Sequence, residues 1–415
     1  MEICKYSCEF QKGEMFSLNF FMRCNKGFYF LKIINQVTKL FLQYRNSHQH
    51  IMRPNNKLRT QCLDLLRFPL AIVVVICHVF TTKNIDSVEQ FPTFIELNKF
   101  IDAFLRGISV PVYFLISGYV FFLCEKFDKL TYGNKLKNRI KSLLIPYLIW
   151  NTIAILMVII KEIPIFSSFL SHPNVDLDLS IKNILSAYWK YDGSLNPIDI
   201  ERTNFPINTA LWFIRDLMII VITTPIIYQG IKRLKEFYII PLGILYLISY
   251  YAGRHTMIIS AYFFFSWGAY MSVQGVDFIK LSKRYGLISI VIYLLCSTTY
   301  LGSIDYKQIT TTCKLISTIV FPIAAFYIAQ YLITNKNVKN SVFLSSGSFF
   351  IYITHCLLVH RVTKVLFMLI RPSGDIAVCA TYMLSCATTI SVLLFSFYIL
   401  RKYCPRLLKV VAGRK

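Results

Sequence analysis

Residues 59–80, RTQCLDLLRFPLAIVVVICHVF, constrain this chain more than any other stretch. From Cys62 to Phe80 the run is long and apolar enough to cross a bilayer as a helix, which takes about 20 residues at about 1.5 Å each. Inside it stand Asp64, Arg67 and His78. An ionised side chain at the centre of such a helix costs about 2.5–3.5 kcal/mol on insertion scales, so a group kept there is a functional candidate. Arg67 and His78 are eleven residues apart, about three turns, which returns them to nearly one face. Asp64 lies one turn before Arg67 on that face and can pair with it. Arg67 and His78 are separated by roughly 16 Å along the axis. The spacing predicts a cation near one membrane surface and a proton-transfer group deeper in, lining one cavity.

The rest of the chain fits a membrane setting. Of its 415 residues, 55% are hydrophobic and 16% charged, with a mean hydropathy of +0.52; soluble domains run near 25% charged. The net charge is +24. A basic chain raises nucleic acid as a partner, but here Lys and Arg sit in short runs between apolar segments, as cytoplasmic loops do. The expected partner is the lipid bilayer and not nucleic acid. The predicted fold is all-α: a polytopic integral membrane protein with about ten transmembrane helices. They are expected at 62–80, 104–124, 141–160, 208–229, 237–252, 256–273, 286–302, 313–334, 343–361 and 376–400. The least secure boundary is at Gly253-Arg254-His255. Cations cluster between the second and third helices (Lys126 to Lys141), after the fourth (Lys232, Arg233, Lys235) and after the sixth (Lys280, Lys283, Arg284). By the positive-inside rule both termini are then cytoplasmic, in the cell's inner (cytoplasmic) membrane, with 401–415 a basic tail. Arg361, Lys364 and Arg371, between the last two helices, are a local exception.

Residues 1–56 form an N-terminal arm of a different character, with aromatic clusters broken by Lys and Arg. Two readings stay open: a basic amphipathic helix over 27–44 lying on the membrane, or translation beginning at Met52. The longest connection, 161–206, is predicted to face outward. Its acidic patch (Asp176, Asp178), short segment Ile181–Tyr191 and Pro/Asn/Gly-rich stretch to Pro206 suit a cap on the cavity mouth or an acceptor contact. Twelve cysteines contain no Cys-x-x-Cys pair, no His/Cys cluster falls at metal spacing, and no metal is expected. Cys77, Cys296, Cys356 and Cys386 lie in apolar runs, where a thiol behaves as a small hydrophobe.

Five blocks then follow in order. The first is the helix with Asp64, Arg67 and His78. GISVPVYFLISGYVFF (107–122) contains Phe114, Ser117 and Gly118 in a Phe-x-x-Ser-Gly pattern; LKNRIKSLLIPYLIW (136–150) is a basic run entering an apolar one; LWFIRDL (211–217) and SFFIYITHCLL (348–358) follow. Together they resemble the acyltransferase family 3 of membrane proteins, over essentially residues 57–400. The resemblance implies a membrane-bound O-acyltransferase, commonly acetylating, that modifies surface polysaccharides or lipid-linked glycans. It also implies a cytoplasmic acyl-CoA, such as acetyl-CoA, as donor substrate, with no bound cofactor, and important roles for Arg67 and His78.

The chemistry of those residues is compatible. A planar Arg67 guanidinium can hold a CoA phosphate bidentately, and Lys137 and Arg139 offer further cations. His78 can act as general base towards a sugar hydroxyl or take the acyl group covalently; the residues do not choose. The bland alternatives are a snorkelling Arg67 paired with Asp64 and a His78 hydrogen-bonded to a neighbouring helix. Ser117-Gly118 reads as a close-packing pair and not as a nucleophile. Arg215 and Asp216, about 100° apart on their helix, need not pair with each other, and one of them is expected to line the acceptor cavity. His355, with Tyr352 and Ser348 on the same stripe, is carried as a second polar wall of that cavity. Some relatives carry an extra extracytoplasmic domain. Only about fifteen residues follow the last helix here, so the membrane part is expected either to finish the reaction or to hand the acyl group to a separate extracytoplasmic transferase. The rival reading is a transporter or flippase of a lipid-linked sugar or acyl group, against which stands the lack of matching Gly/Pro-broken helices.

Overall fold

The structure, a computed structural model, describes residues 56–80, 90–123, 127–161, 178–191, 205–253 and 256–413. The readings for the arm up to residue 55, and for Asp176, Arg254 and His255, lie outside the described residues. Among the described residues there is no strand. Eight helices are long and apolar enough to cross a membrane, and two shorter apolar helices, Glu236–Tyr251 and Met257–Val273, lie between them. The all-α membrane class follows directly from these runs.

Helix α1 spans Asn56–Val79 and contains Pro69, which removes one backbone donor between Arg67 and His78. The second expected helix, 104–124, is shorter than expected and is preceded by a further helix. α2 (Pro92–Phe104) and α3 (Ser109–Phe121) meet at a turn where Gly107 takes a φ of +86°. The expectation of a loop before 104 overlooked the amphipathic stripe of α2, which buries Phe94, Ile101 and Ala103. Its N-terminus is capped from far along the chain: Asp375 accepts from the backbone N–H of Thr93 at 2.7 Å and of Phe94 at 3.1 Å.

The basic stretch before the third membrane segment is also helical. α4 (Lys129–Arg139) begins at Asp128, whose side chain accepts from the Thr131 N–H. It passes through a π-helical turn, Ile140–Leu144, into α5 (Ile145–Lys161). In the outward connection, α6 covers Ile181–Trp189 and is tied down by the Tyr147 hydroxyl, which donates to the Tyr188 carbonyl. α7 (Trp212–Leu234) follows a short 3-10 turn, Thr209–Leu211. α8 (Glu236–Tyr251), α9 (Met257–Val273), α10 (Phe278–Gly302) and α11 (Lys307–Asn335) come next.

α12 (Val342–Ile370) runs nine residues beyond its expected end. Arg361 and Lys364 therefore lie within a helix and not in a loop. α13 (Asp375–Tyr403) leads to a short terminal helix, α14 (Pro405–Val411). The basic tail packs back onto the bundle: Leu408, Val411 and Ala412 are buried with Phe350 and Phe397, and the Trp150 indole N–H donates to the Val411 carbonyl at 2.8 Å.

Two contacts organise the core. α3 and α9 cross with their backbones touching, because a Cβ at Gly118 would run into the Phe265 carbonyl and one at Gly268 into the Leu115 carbonyl. This is small-residue packing of the kind expected between membrane helices, as the sequence reading held for Gly118. α12 lies parallel to α1: the Asn340 amide donates to the Gln61 carbonyl at 2.6 Å near one end, and the rings of His78 and His355 meet at the other.

Candidate active site

A cavity of about 470 Å³ opens between α1, α3, the π-turn, α7 and α12. Asp64 and Arg67 from α1, Arg139 and Ser142 from the π-turn region, and Ser348 and Tyr352 from α12 are among its walls, with Ala412 and Gly413 from the chain end. Arg67 pairs with Asp64 at 2.8 Å across one turn, as their spacing predicts, and still faces the cavity. The π-turn matters here. It adds a residue to the turn; Arg139, immediately before it, and Ser142, inside it, both line the cavity. Packing of the terminal helix adds Ala412 and Gly413, which no local pattern announces.

Lys137 is not part of this wall. It is exposed on the solvent side of α4, because side chains two apart on a helix point in widely different directions, so Arg139 turns inward and Lys137 does not. His78 is not among the lining residues either, contrary to the single-cavity expectation. Two tyrosines stand side by side in the cavity wall, their ring centroids 5.9 Å apart. The Tyr113 hydroxyl donates to the Arg67 carbonyl at 2.7 Å, and that of Tyr352 donates to the Ala210 carbonyl at 3.0 Å.

Behind this pair lies a second polar centre. His355 is 0% exposed, and its ring meets that of His78 edge to face with centroids 4.8 Å apart. Each ring is held by a backbone carbonyl: His355 Nδ1 lies 2.7 Å from Tyr352 O and His78 Nδ1 2.9 Å from Val74 O. A carbonyl only accepts, so Nδ1 carries the proton in both rings, and Nε2 carries the lone pair when the ring is neutral. Cys356 Sγ lies 3.4 Å from His355 Nε2. The Thr209 hydroxyl, on the 3-10 turn before α7, donates to the same sulfur at 3.5 Å. That turn is held against α12 by Asn208, whose amide donates to the Ile353 carbonyl at 3.0 Å.

Nitrogen and sulfur donors of His78, His355 and Cys356 all fall within 4.8 Å of one another. The three are therefore close enough to share a proton or to hold an ion, although nothing in their sequence spacing shows it. Reading Cys356 as a buried hydrophobe is corrected by this contact. The one sequence signal was its place beside His355 in the THC run. His355 itself sits behind the cavity wall instead of in it, while Tyr352 and Ser348 of the same stripe do line it.

Arg215 and Asp216 do not reach the cavity. They pair with each other, Arg215 Nε to Asp216 Oδ1 at 2.9 Å, correcting the argument from helical angle. Nε lies partway along a long side chain, and that reach outweighs the 100° offset of the two Cα–Cβ bonds. Arg215 also donates to the Trp189 carbonyl at 2.8 Å and stacks over the Trp189 ring, fastening α6 to α7. A charged knot that no local pattern announces lies at the α2–α3 turn. There Arg106 pairs with Asp102 at 2.9 Å, the Tyr300 hydroxyl donates to the Asp102 carboxylate, and Lys314 donates to the Asp102 carbonyl.

Comparison with known proteins agrees with this architecture. The chain is 24% identical over 361 residues to the succinoglycan biosynthesis protein ExoH of Rhizobium meliloti (strain 1021), covering 85% of this chain and 92% of that protein. No solved structure gives a significant match. A family model described as an acyltransferase domain matches residues 60–401. That match takes in most of each of the eight membrane-length helices, the histidine centre and every cavity-lining residue named above except Ala412 and Gly413, and the chain belongs to the acyltransferase 3 family of multi-pass membrane proteins.

Proposed function

We propose that this protein transfers an acyl group, most simply acetyl, from cytoplasmic acyl-CoA to a hydroxyl of a cell-surface polysaccharide or lipid-linked glycan, at the cytoplasmic membrane. The observation that carries this reading is the pairing of a cationic cavity with a histidine centre across a single layer of tyrosine. Arg67 and Arg139 both line the cavity, where their guanidiniums suit the phosphates of CoA. Tyr352 belongs to both places: its ring walls the cavity, and its carbonyl orients His355 against His78.

In this reading His78 removes the proton from the acceptor hydroxyl. Its Nδ1 proton is committed to the Val74 carbonyl, which leaves Nε2 as the base. The name of the Rhizobium relative supports a polysaccharide as the acceptor class. Arg215 and Asp216 act by fixing α6 over the outer side, which is an indirect contribution to acceptor binding.

The test is acylation of envelope glycan by membranes containing the protein, supplied with radiolabelled acetyl-CoA. His78→Ala is expected to lower transfer by about 10²–10⁴-fold, the usual contribution of a general base, with unchanged membrane insertion. Glycan that appears outside without new ester and without donor consumption would replace this reading with transport.

A further inference from the structure

The geometry points to Cys356 as an acyl-carrying nucleophile: a thiol activated by His355 that takes the acyl group as a thioester before His78 delivers it to the acceptor. The inference rests on the acyltransferase reading and adds a covalent intermediate to it. Its basis is a division of labour between the two imidazoles. His355 is wholly buried, so an incoming sugar hydroxyl cannot reach it. Its Nε2 faces Cys356 Sγ at 3.4 Å, and its Nδ1 is fixed by the Tyr352 carbonyl. Nucleophile, base and orienting acceptor stand in a row, the arrangement by which a cysteine is activated elsewhere. Thr209 supplies a hydroxyl donor to the sulfur, which stabilises a thiolate there. His78 and Cys356 each keep part of their surface accessible, which His355 does not.

The steps balance without any further reactant. His355 Nε2 takes the thiol proton, and Cys356 Sγ attacks the thioester carbonyl of acyl-CoA. The bond from the acyl carbon to the CoA sulfur breaks, and the departing CoA thiolate takes the proton back from the His355 imidazolium. The acyl group now sits on Sγ, one thioester having replaced another. In the second half His78 Nε2 takes the proton of the acceptor hydroxyl, the oxygen attacks the acyl carbon, and the bond from that carbon to Sγ breaks. The Cys356 thiolate is reprotonated from the His78 imidazolium, leaving an oxygen ester and a free enzyme.

The experiment uses the full chain in detergent with acyl-labelled acetyl-, butyryl- and succinyl-CoA and no acceptor. Bound metal is measured on the same preparation. The expected result is a burst of CoA equal to the enzyme present, with label on the protein that neutral hydroxylamine removes. Cys356→Ala loses burst and label together; Cys356→Ser, which keeps the size of the side chain, retains label that neutral hydroxylamine does not remove. His78→Ala keeps the label and fails to pass it to glycan. Label that survives Cys356→Ala but not His78→Ala would overturn the proposal in favour of an acyl-histidine. Glycan acylation by Cys356→Ala at the wild-type rate would overturn it and leave the acyltransferase reading standing. Stoichiometric metal lost on Cys356→Ser would overturn it by making the thiol a ligand. No CoA release and no glycan acylation by the wild-type protein with any donor would remove both readings.

Discussion

Replacing Arg67 with lysine separates the binding role of this residue from its structural one. The Arg67–Asp64 pair is 2.8 Å long, but its side chains are 42% and 33% exposed. Pairs this accessible are screened and contribute about 0–1 kcal/mol to stability. Lysine keeps the charge and can still reach Asp64, so folding should change by less than about 1 kcal/mol. The donor site behaves differently. A guanidinium presents parallel N–H groups to a phosphate, whereas an ammonium is a point charge. Losing one charge-assisted hydrogen bond costs about 1.5–3 kcal/mol, and about 1.4 kcal/mol is tenfold in affinity. The expected outcome is a rise of roughly 10- to 150-fold in KM for acyl-CoA, with thermal unfolding in detergent almost unmoved. Arg139→Lys should act in the same direction, because both groups line one cavity, and the double variant should cost less than the sum if they hold the same phosphate. Exposed Lys137→Ala is the control and should leave the donor KM alone. An unchanged KM in Arg67→Lys, or a collapse in stability, would refute the reasoning.

Other consequences follow from the packing. Gly118→Val places two methyl groups and a Cβ into the Phe265 carbonyl; overpacking of this kind costs about 1–3 kcal/mol, visible as a lower unfolding temperature and reduced yield in membranes. The Arg215–Asp216 pair is 12% and 2% exposed, so Arg215→Ala leaves a buried carboxylate alone, at a cost of about 3–5 kcal/mol. Arg215→Ala with Asp216→Asn should recover part of that loss in the same unfolding assay, and no recovery would show that Arg215 acts mainly through Trp189.

Much of this protein was legible without a structure. The class of fold follows from the apolar runs alone, because a bilayer leaves the backbone few ways to satisfy its hydrogen bonds. The pairing of Asp64 with Arg67 follows from one-turn spacing, and the role of Gly118 from the small-residue pattern. Helix ends were harder: polar residues such as Asp102, Arg361 and Lys364 sit within helices whose other faces are buried or lie toward lipid. Local polarity therefore marks a helix boundary poorly.

What only the tertiary structure decided is the site itself. Sequence could nominate Arg67, His78 and His355, but a helix periodicity fixes neighbours on one helix and says nothing of rotation between helices. The parallel packing of α12 on α1 turns His355 towards His78 and away from the cavity. The contact between Cys356 and its neighbour His355 depends on rotamers that sequence spacing leaves open, and Arg139 lines the cavity only because helices far apart in the chain supply its other walls. Local sequence determined which groups are carried into the membrane; the crossing of helices far apart in the chain determined which of them meet.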